Sequence, residues 1–168
     1  MAEANRDRIN PSLLDRLTDE APGESSQRGA SVTLSELRRS VLRDLNWLFN
    51  TTQLLKAEEA ESWPMVRKSV LNYGLPPLAG VAASGLDLRK LERALRQAIL
   101  DFEPRILADS VSVKALVAGQ PGDHHNVISL HIEALLWAQP VPIELLLRTQ
   151  FDLESGQNRV EETTLGRR

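Results

Sequence analysis

At 168 residues the chain is long enough for one domain with a real core and too short for two comfortable ones. Its 42% hydrophobic and 26% charged residues are ordinary for a globular protein, and a net charge of -3 supplies no bulk attraction to nucleic acid or to an anionic membrane. With no cysteine, disulfide staples, thiolate zinc sites and thiol catalysis are excluded. Residues 1–10 alternate charged and small side chains without the apolar run of a secretory signal, and no stretch approaches the roughly 20 apolar residues of a membrane span. A cytoplasmic protein without direct membrane insertion is expected.

Ser12 is placed to cap a short helix over residues 11–20, whose Leu13, Leu14 and Leu17 make one apolar stripe. Residues 21–30, rich in Gly, Ser, Glu and Pro22, read as a linker, so residues 1–30 form a tethered arm. That helix either folds back on its own domain or hooks another protein. The domain is expected over residues 31–155, opening with a capping box at Thr33 and Glu36. Leu34, Leu37, Val41, Leu45, Leu48 and Phe49 follow at helical spacing, with Arg38, Arg39, Arg43 and Asp44 mostly on the wet side. Gly74, Pro76 and Pro77 forbid regular structure after a short helical turn through Val66 and Val70. A second strong helix is predicted from Asp87 to Phe102, apolar at Leu88, Leu91, Leu95, Ala98 and Ile99.

That helix must stop at Glu103, because a residue before proline is pushed out of the helical region. A carboxylate there meets the negative end of the helix dipole and needs compensation. Across Pro104, Glu103 and Arg105 can project to one side and offer a carboxylate beside a planar guanidinium. Spacing alone favours an internal ion pair closing the corner over a clamp on a partner.

Beyond Arg105 the period changes from 3.6 to 2. One strand is predicted through Val111, Val113, Ala115 and Val117, and a second through Ile128, Leu130 and Ile132. A long third strand over residues 143–154 has Leu146 and Arg148 on its polar side and is expected to present an outer edge. Residues 156–168 read as a flexible tail. The expected fold is α+β, with two main helices on a small, mostly antiparallel, three-stranded sheet.

A glycosidase would need two carboxylates across a cleft. Glu103 with Glu133 or Glu144 could supply them, but 23 acidic residues offer such pairs freely. Asp123, His124 and His125, with His131, match no metal-ligand spacing. No phosphate loop, nucleophile elbow or basic aromatic surface is present, leaving binding as the chemistry. No catalytic, metal or cofactor residue is assigned.

Five segments occur in one order: Leu13-Leu14-Asp15-Arg16-Leu17, Arg43-Asp44-Leu45-Asn46-Trp47-Leu48-Phe49-Asn50-Thr51, Val70-Leu71-Asn72-Tyr73-Gly74-Leu75-Pro76, Phe102-Glu103-Pro104-Arg105-Ile106 and Leu136-Trp137-Ala138-Gln139-Pro140-Val141-Pro142. Together they resemble the TssE subunits of the bacterial type VI secretion system, similar to the lysozyme-like baseplate wedge protein of contractile phage tails. The resemblance implies a non-enzymatic subunit in a cytoplasmic baseplate docked at the inner membrane. Its implied partners are the wedge proteins TssF, TssG and TssK, the sheath proteins TssB and TssC, whose first ring it templates, and the spike hub that the wedges surround. It also implies that Glu103, Pro104 and Arg105 make assembly contacts, which reverses the weight given to the internal pair. Leu13, Leu14 and Leu17 are expected as apolar anchors, and Leu146 and Arg148 as the strand-addition segment. A peptidoglycan hydrolase and a stand-alone regulatory adaptor of the same fold are the alternatives.

Overall fold

In the computed structural model, residues 12–18, 33–78, 87–116, 127–138 and 140–163 are described. After the short helix α1 (Leu13–Leu17), the helix α2 (Leu34–Phe49) begins where expected. Thr33 Oγ1 accepts from the Glu36 N–H at 3.3 Å while the Glu36 carboxylate accepts from the Thr33 N–H at 2.7 Å. One face of α2 buries Leu37, Val41, Leu45, Leu48 and Phe49. Two short helices follow, α3 (Ala57–Ser62) and α4 (Pro64–Arg67), and then a 3₁₀ turn at Val70–Asn72. The helix α5 (Leu88–Phe102), capped by Asp87, buries Leu91, Leu95, Ala98 and Ile99.

The sheet runs in the order β1 (Ser112–Leu116), β2 (Val127–Leu136), β3 (Ile143–Asp152), β4 (Asn158–Glu162), every neighbour antiparallel. Burial alternates along it. Ile128, Leu130, Ile132, Ala134 and Leu136 of β2 and Leu145, Leu147, Thr149 and Phe151 of β3 face the helices. Ser129, His131, Glu133, Leu146, Arg148 and Gln150 turn to the uncovered face. The helices and sheet thus share one apolar core.

The α+β architecture with two main helices holds, but the sheet has four strands instead of three. The additional strand arises within the stretch expected as a tail, after a turn in which Gly156 adopts a φ of 70°. Its sequence carries a single apolar residue, Val160, so alternation gives almost no signal. What holds it is non-local. Asn50, just past α2, accepts from the Asn158 N–H at 2.9 Å and donates to its carbonyl at 2.9 Å, and Arg38 pairs with Glu162 at 2.9 Å. The arm's linker, the loop holding Asp123, His124 and His125, and residues 164–168 lie outside the described residues.

Candidate assembly surfaces

The corner after α5 is built by backbone as much as by charge. Glu103 caps the helix by donating its N–H to the Ile99 carbonyl, and Pro104 and Arg105 turn the chain. Trp137 N–H then bonds the Arg105 carbonyl at 2.7 Å and Leu107 N–H the Leu135 carbonyl at 2.9 Å, tying the corner to the end of β2. Glu103 is only 4% exposed. Its carboxylate accepts from Arg105 Nε at 2.6 Å, from Nη2 at 2.5 Å and from the Arg105 N–H at 3.2 Å, a forked arrangement that offsets the helix dipole.

The same guanidinium reaches back to α2. Nη2 donates to Asp44 Oδ2 at 2.5 Å and Nη1 to Ser40 Oγ at 3.1 Å. Burial pulls the Arg105 guanidinium down, but hydrogen bonding and charge attraction from Glu103 and Asp44 outweigh it and hold the group above its ordinary value. Arg105 therefore stays charged and locks α2, α5 and the corner together. Asp44 and Ser40 are members that sequence reasoning missed. Both lie on the flank of α2 beside its apolar stripe, and nothing in local periodicity separates that flank from open solvent.

Asp44 continues the network to the arm. Arg43 pairs with Asp44 at 2.9 Å and with Asp15 of α1 at 2.5 Å, and its guanidinium lies 5.1 Å from the centre of the Trp47 ring. An alternating series Asp15, Arg43, Asp44, Arg105, Glu103 thus runs from the arm to the corner. Docked this way, α1 leaves Leu13 69%, Leu14 45% and Leu17 75% exposed, so its apolar stripe faces away from the domain. The bond from Arg43 holds Asp15 below its ordinary value of 3.8, against a smaller opposing effect of burial. A lowered folded pKa contributes docking stability that is present above that ordinary value and lost as pH falls through the folded one. Acidification below pH 3.8 should release α1, visible as movement of the Leu13–Thr18 amide resonances and the Trp47 indole signal. Asp15→Asn should show the released spectrum already at pH 7; identical spectra for both proteins would remove the pair as the latch.

The sheet corrects the expected edge. β3 is interior, bonded to β2 along its whole length and to β4 over Leu147–Phe151. Leu146 and Arg148 belong to that inner strand, their side chains on the uncovered face opposite Glu133 and His131 of β2. The true edges are β1 and β4, and they are treated differently. Along β1, Glu92 of α5 accepts from the Ala115 N–H at 2.7 Å and Arg96 donates to the Val111 carbonyl at 3.1 Å, so side chains engage that edge on both sides of Val113, whose outward backbone groups have no partner among the described residues. On β4, the bonds Asp152 N–H to Gln157 and Thr163 N–H to Leu146 show that odd-numbered residues face β3. Asn158, Val160 and Glu162 therefore point outward. Asn50 caps Asn158, while the backbone groups of Val160 and Glu162 have no partner among the described residues.

The remaining candidates do not converge. Glu133 and Glu144 sit on the uncovered face of the sheet, whereas Glu103 is buried on the helix side and bound by Arg105, so no shared cleft joins them. Among the described residues no three His, Asp or Glu side chains group to hold a metal, and no helix is long and apolar enough to cross a membrane.

Residues 35–141, more than half of the chain, match the family described as baseplate wedge protein gp25. No curated protein matches the chain. Among solved structures it is similar to a chain of "The baseplate complex from the type VI secretion system", at 23% identity and a TM-score of 0.46, covering 77% of this chain and 97% of that one. The matched span takes in α2, α5, the corner that joins them to the sheet, and β1 with β2. The chain belongs to the baseplate wedge protein gp25 family, a family of structural baseplate components of phage-like machinery.

Proposed function

We propose that this chain is the TssE-like wedge subunit of a type VI secretion baseplate, a cytoplasmic, non-catalytic part that docks with TssF, TssG and TssK and templates the first TssB/TssC sheath ring around the spike hub. Family membership and the five ordered motifs support the baseplate role. The sheath contact is a strand added along β4. The observation that carries this is a difference between the sheet edges: on β1 the side-chain bonds flank Val113 on both sides, while on β4 they stop at Asn158 and leave the successive outward groups of Val160 and Glu162 without a partner among the described residues. Leu13, Leu14 and Leu17, held outward by the Asp15 latch, are the apolar anchors for a wedge partner. The turn at Glu103, Pro104 and Arg105 contributes through its shape, presenting exposed Pro104 on a corner made rigid by the ion pairs. Leu146 and Arg148 act from the open face beside that edge, not as the edge itself.

Two proline substitutions test the edge. In Val160→Pro the lost N–H points outward, so the β3–β4 ladder survives and stability should fall by no more than about 1 kcal/mol, while sheath recruitment is abolished. Arg148→Pro removes an N–H that faces β4 and should cost more than about 2 kcal/mol by itself, which makes it a folding control. Urea midpoints and sheath assembly on purified baseplates read the two effects separately. Sheath assembly undiminished in folded Val160→Pro would move the junction away from β4.

A further inference from the structure

Between α2 and the β3–β4 hairpin lies a groove of about 680 Å³ whose polar lining includes Arg39, Arg43 and Arg159 with Asn46, Gln150 and Gln157. In a chain of net charge -3, three guanidiniums gather here against a single lining carboxylate, Asp152. That carboxylate is already engaged by the N–H groups of Glu154 and Ser155 and the Ser155 hydroxyl. The side chains of Arg39 and Arg159 are exposed and make no hydrogen bond or ion pair among the described residues, although the Glu36 carboxyl is near enough to feel the Arg39 charge. Unpaired like charges along one cleft repel each other and favour an anionic occupant. Arg43 is itself already paired with Asp15 and Asp44, neither of which lines the groove, so the charge left to an occupant is that of Arg39 and Arg159. Val160 and Arg159 line the cleft, so it borders the open edge of β4.

We propose that the groove selects an extended, acidic segment of a partner chain, its carboxylates bound by Arg39 and Arg159 while its backbone pairs with β4 at Val160. The inference rests on the strand-addition reading for the place of docking and adds to it the charge that decides which strand is accepted. Bidentate guanidinium–carboxylate bonds supply that choice, because a main-chain ladder alone is blind to side-chain charge. Leu42 of α2 and Val160 of β4 add apolar lining on the helix side of the same cleft.

The test uses the full chain, isotope-labelled, and two blocked octapeptides, one alternating Glu with Val and the other Gln with Val. The acidic peptide should move the amide signals of Arg39, Asn46, Arg159 and Val160. It should bind at least about ten-fold more tightly than its Gln counterpart at low salt and lose that advantage as salt rises. The double variant Arg39→Glu with Arg159→Glu, altered only at exposed side chains that make no hydrogen bond among the described residues, should keep its circular dichroism and lose the preference. Equal binding of both peptides along β4 overturns the charge selection and leaves the edge reading intact. Binding of neither at millimolar peptide, or shifts outside the groove, overturns the proposal. The same shifts on concentrating the chain alone would assign the groove to a second copy and equally overturn it.

Discussion

Arg105→Ala should destabilise the protein by about 3 to 5 kcal/mol, the usual consequence of removing one partner from a buried, hydrogen-bonded ion pair. The magnitude comes from what is left behind. Glu103, 4% exposed, would be left with neither the fork of Arg105 nor water to receive its carboxyl group, beside the negative end of α5. Asp44 and Ser40 would lose their bonds to the corner at the same time, loosening α2 from α5. Arg105→Glu is worse, since it places a third carboxylate between Glu103 and Asp44, so loss of partners in that variant would report unfolding rather than a broken contact. The informative series is Arg105→Ala, Glu103→Gln and the double variant, followed by urea unfolding. The double variant should recover part of the loss because no unpaired charge remains at position 103. A single substitution costing less than about 1 kcal/mol would mean that the corner is not held by this network.

Gly74→Ala is expected to cost about 3 kcal/mol or more, from two additive sources. Gly74 has a φ of 124°, a backbone conformation that an L side chain adopts only with strain of roughly 1 to 2 kcal/mol. A Cβ built there would also stand 2.3 Å from the Thr51 carbonyl oxygen, a backbone atom that cannot swing aside, and such overpacking adds about 1 to 3 kcal/mol. The same carbonyl accepts from the Leu75 N–H at 2.8 Å, and Leu75 returns the tie by accepting from the Gln53 N–H at 2.9 Å. This junction seats Leu75 in the core and Tyr73 against Phe102, with ring centres 5.2 Å apart. Its loss would reach the α5 corner through Tyr73, whose hydroxyl donates to the Asp44 carbonyl at 3.3 Å. A thermal midpoint within a degree or two of the wild type would show that the chain can relax around position 74.

Both substitutions strike positions that the chain advertises locally. A glycine before Leu-Pro-Pro and a Glu-Pro-Arg corner after an apolar helical stripe are visible without a structure, because proline, glycine and 3.6-residue periodicity act over a few residues. The same range explains α2, its capping box, α5 and the alternation of β2 and β3. It also brought Glu103 and Arg105 together, since they are two positions apart.

What local pattern could not supply is who stands on the other side. Asp44 is a wet-side residue by helical phase, yet Arg105, 61 positions later in the chain, makes it part of the corner. Residues 158–162 carry almost no strand signal and are ordered by Asn50 and Arg38, more than 100 positions away. Adding that strand turned β3 from an edge into an interior strand and moved the open edge to Val160 and Glu162. The sequence by itself determined the two long helices, the corner and the alternating strands, because these follow from spacing and backbone stereochemistry, whereas α3 (Ala57–Ser62) carries no comparable apolar period. The tertiary structure alone decided the fourth strand, the third member of the charge cluster and the free edge, because each depends on hydrogen bonds between segments that only folding brings into contact.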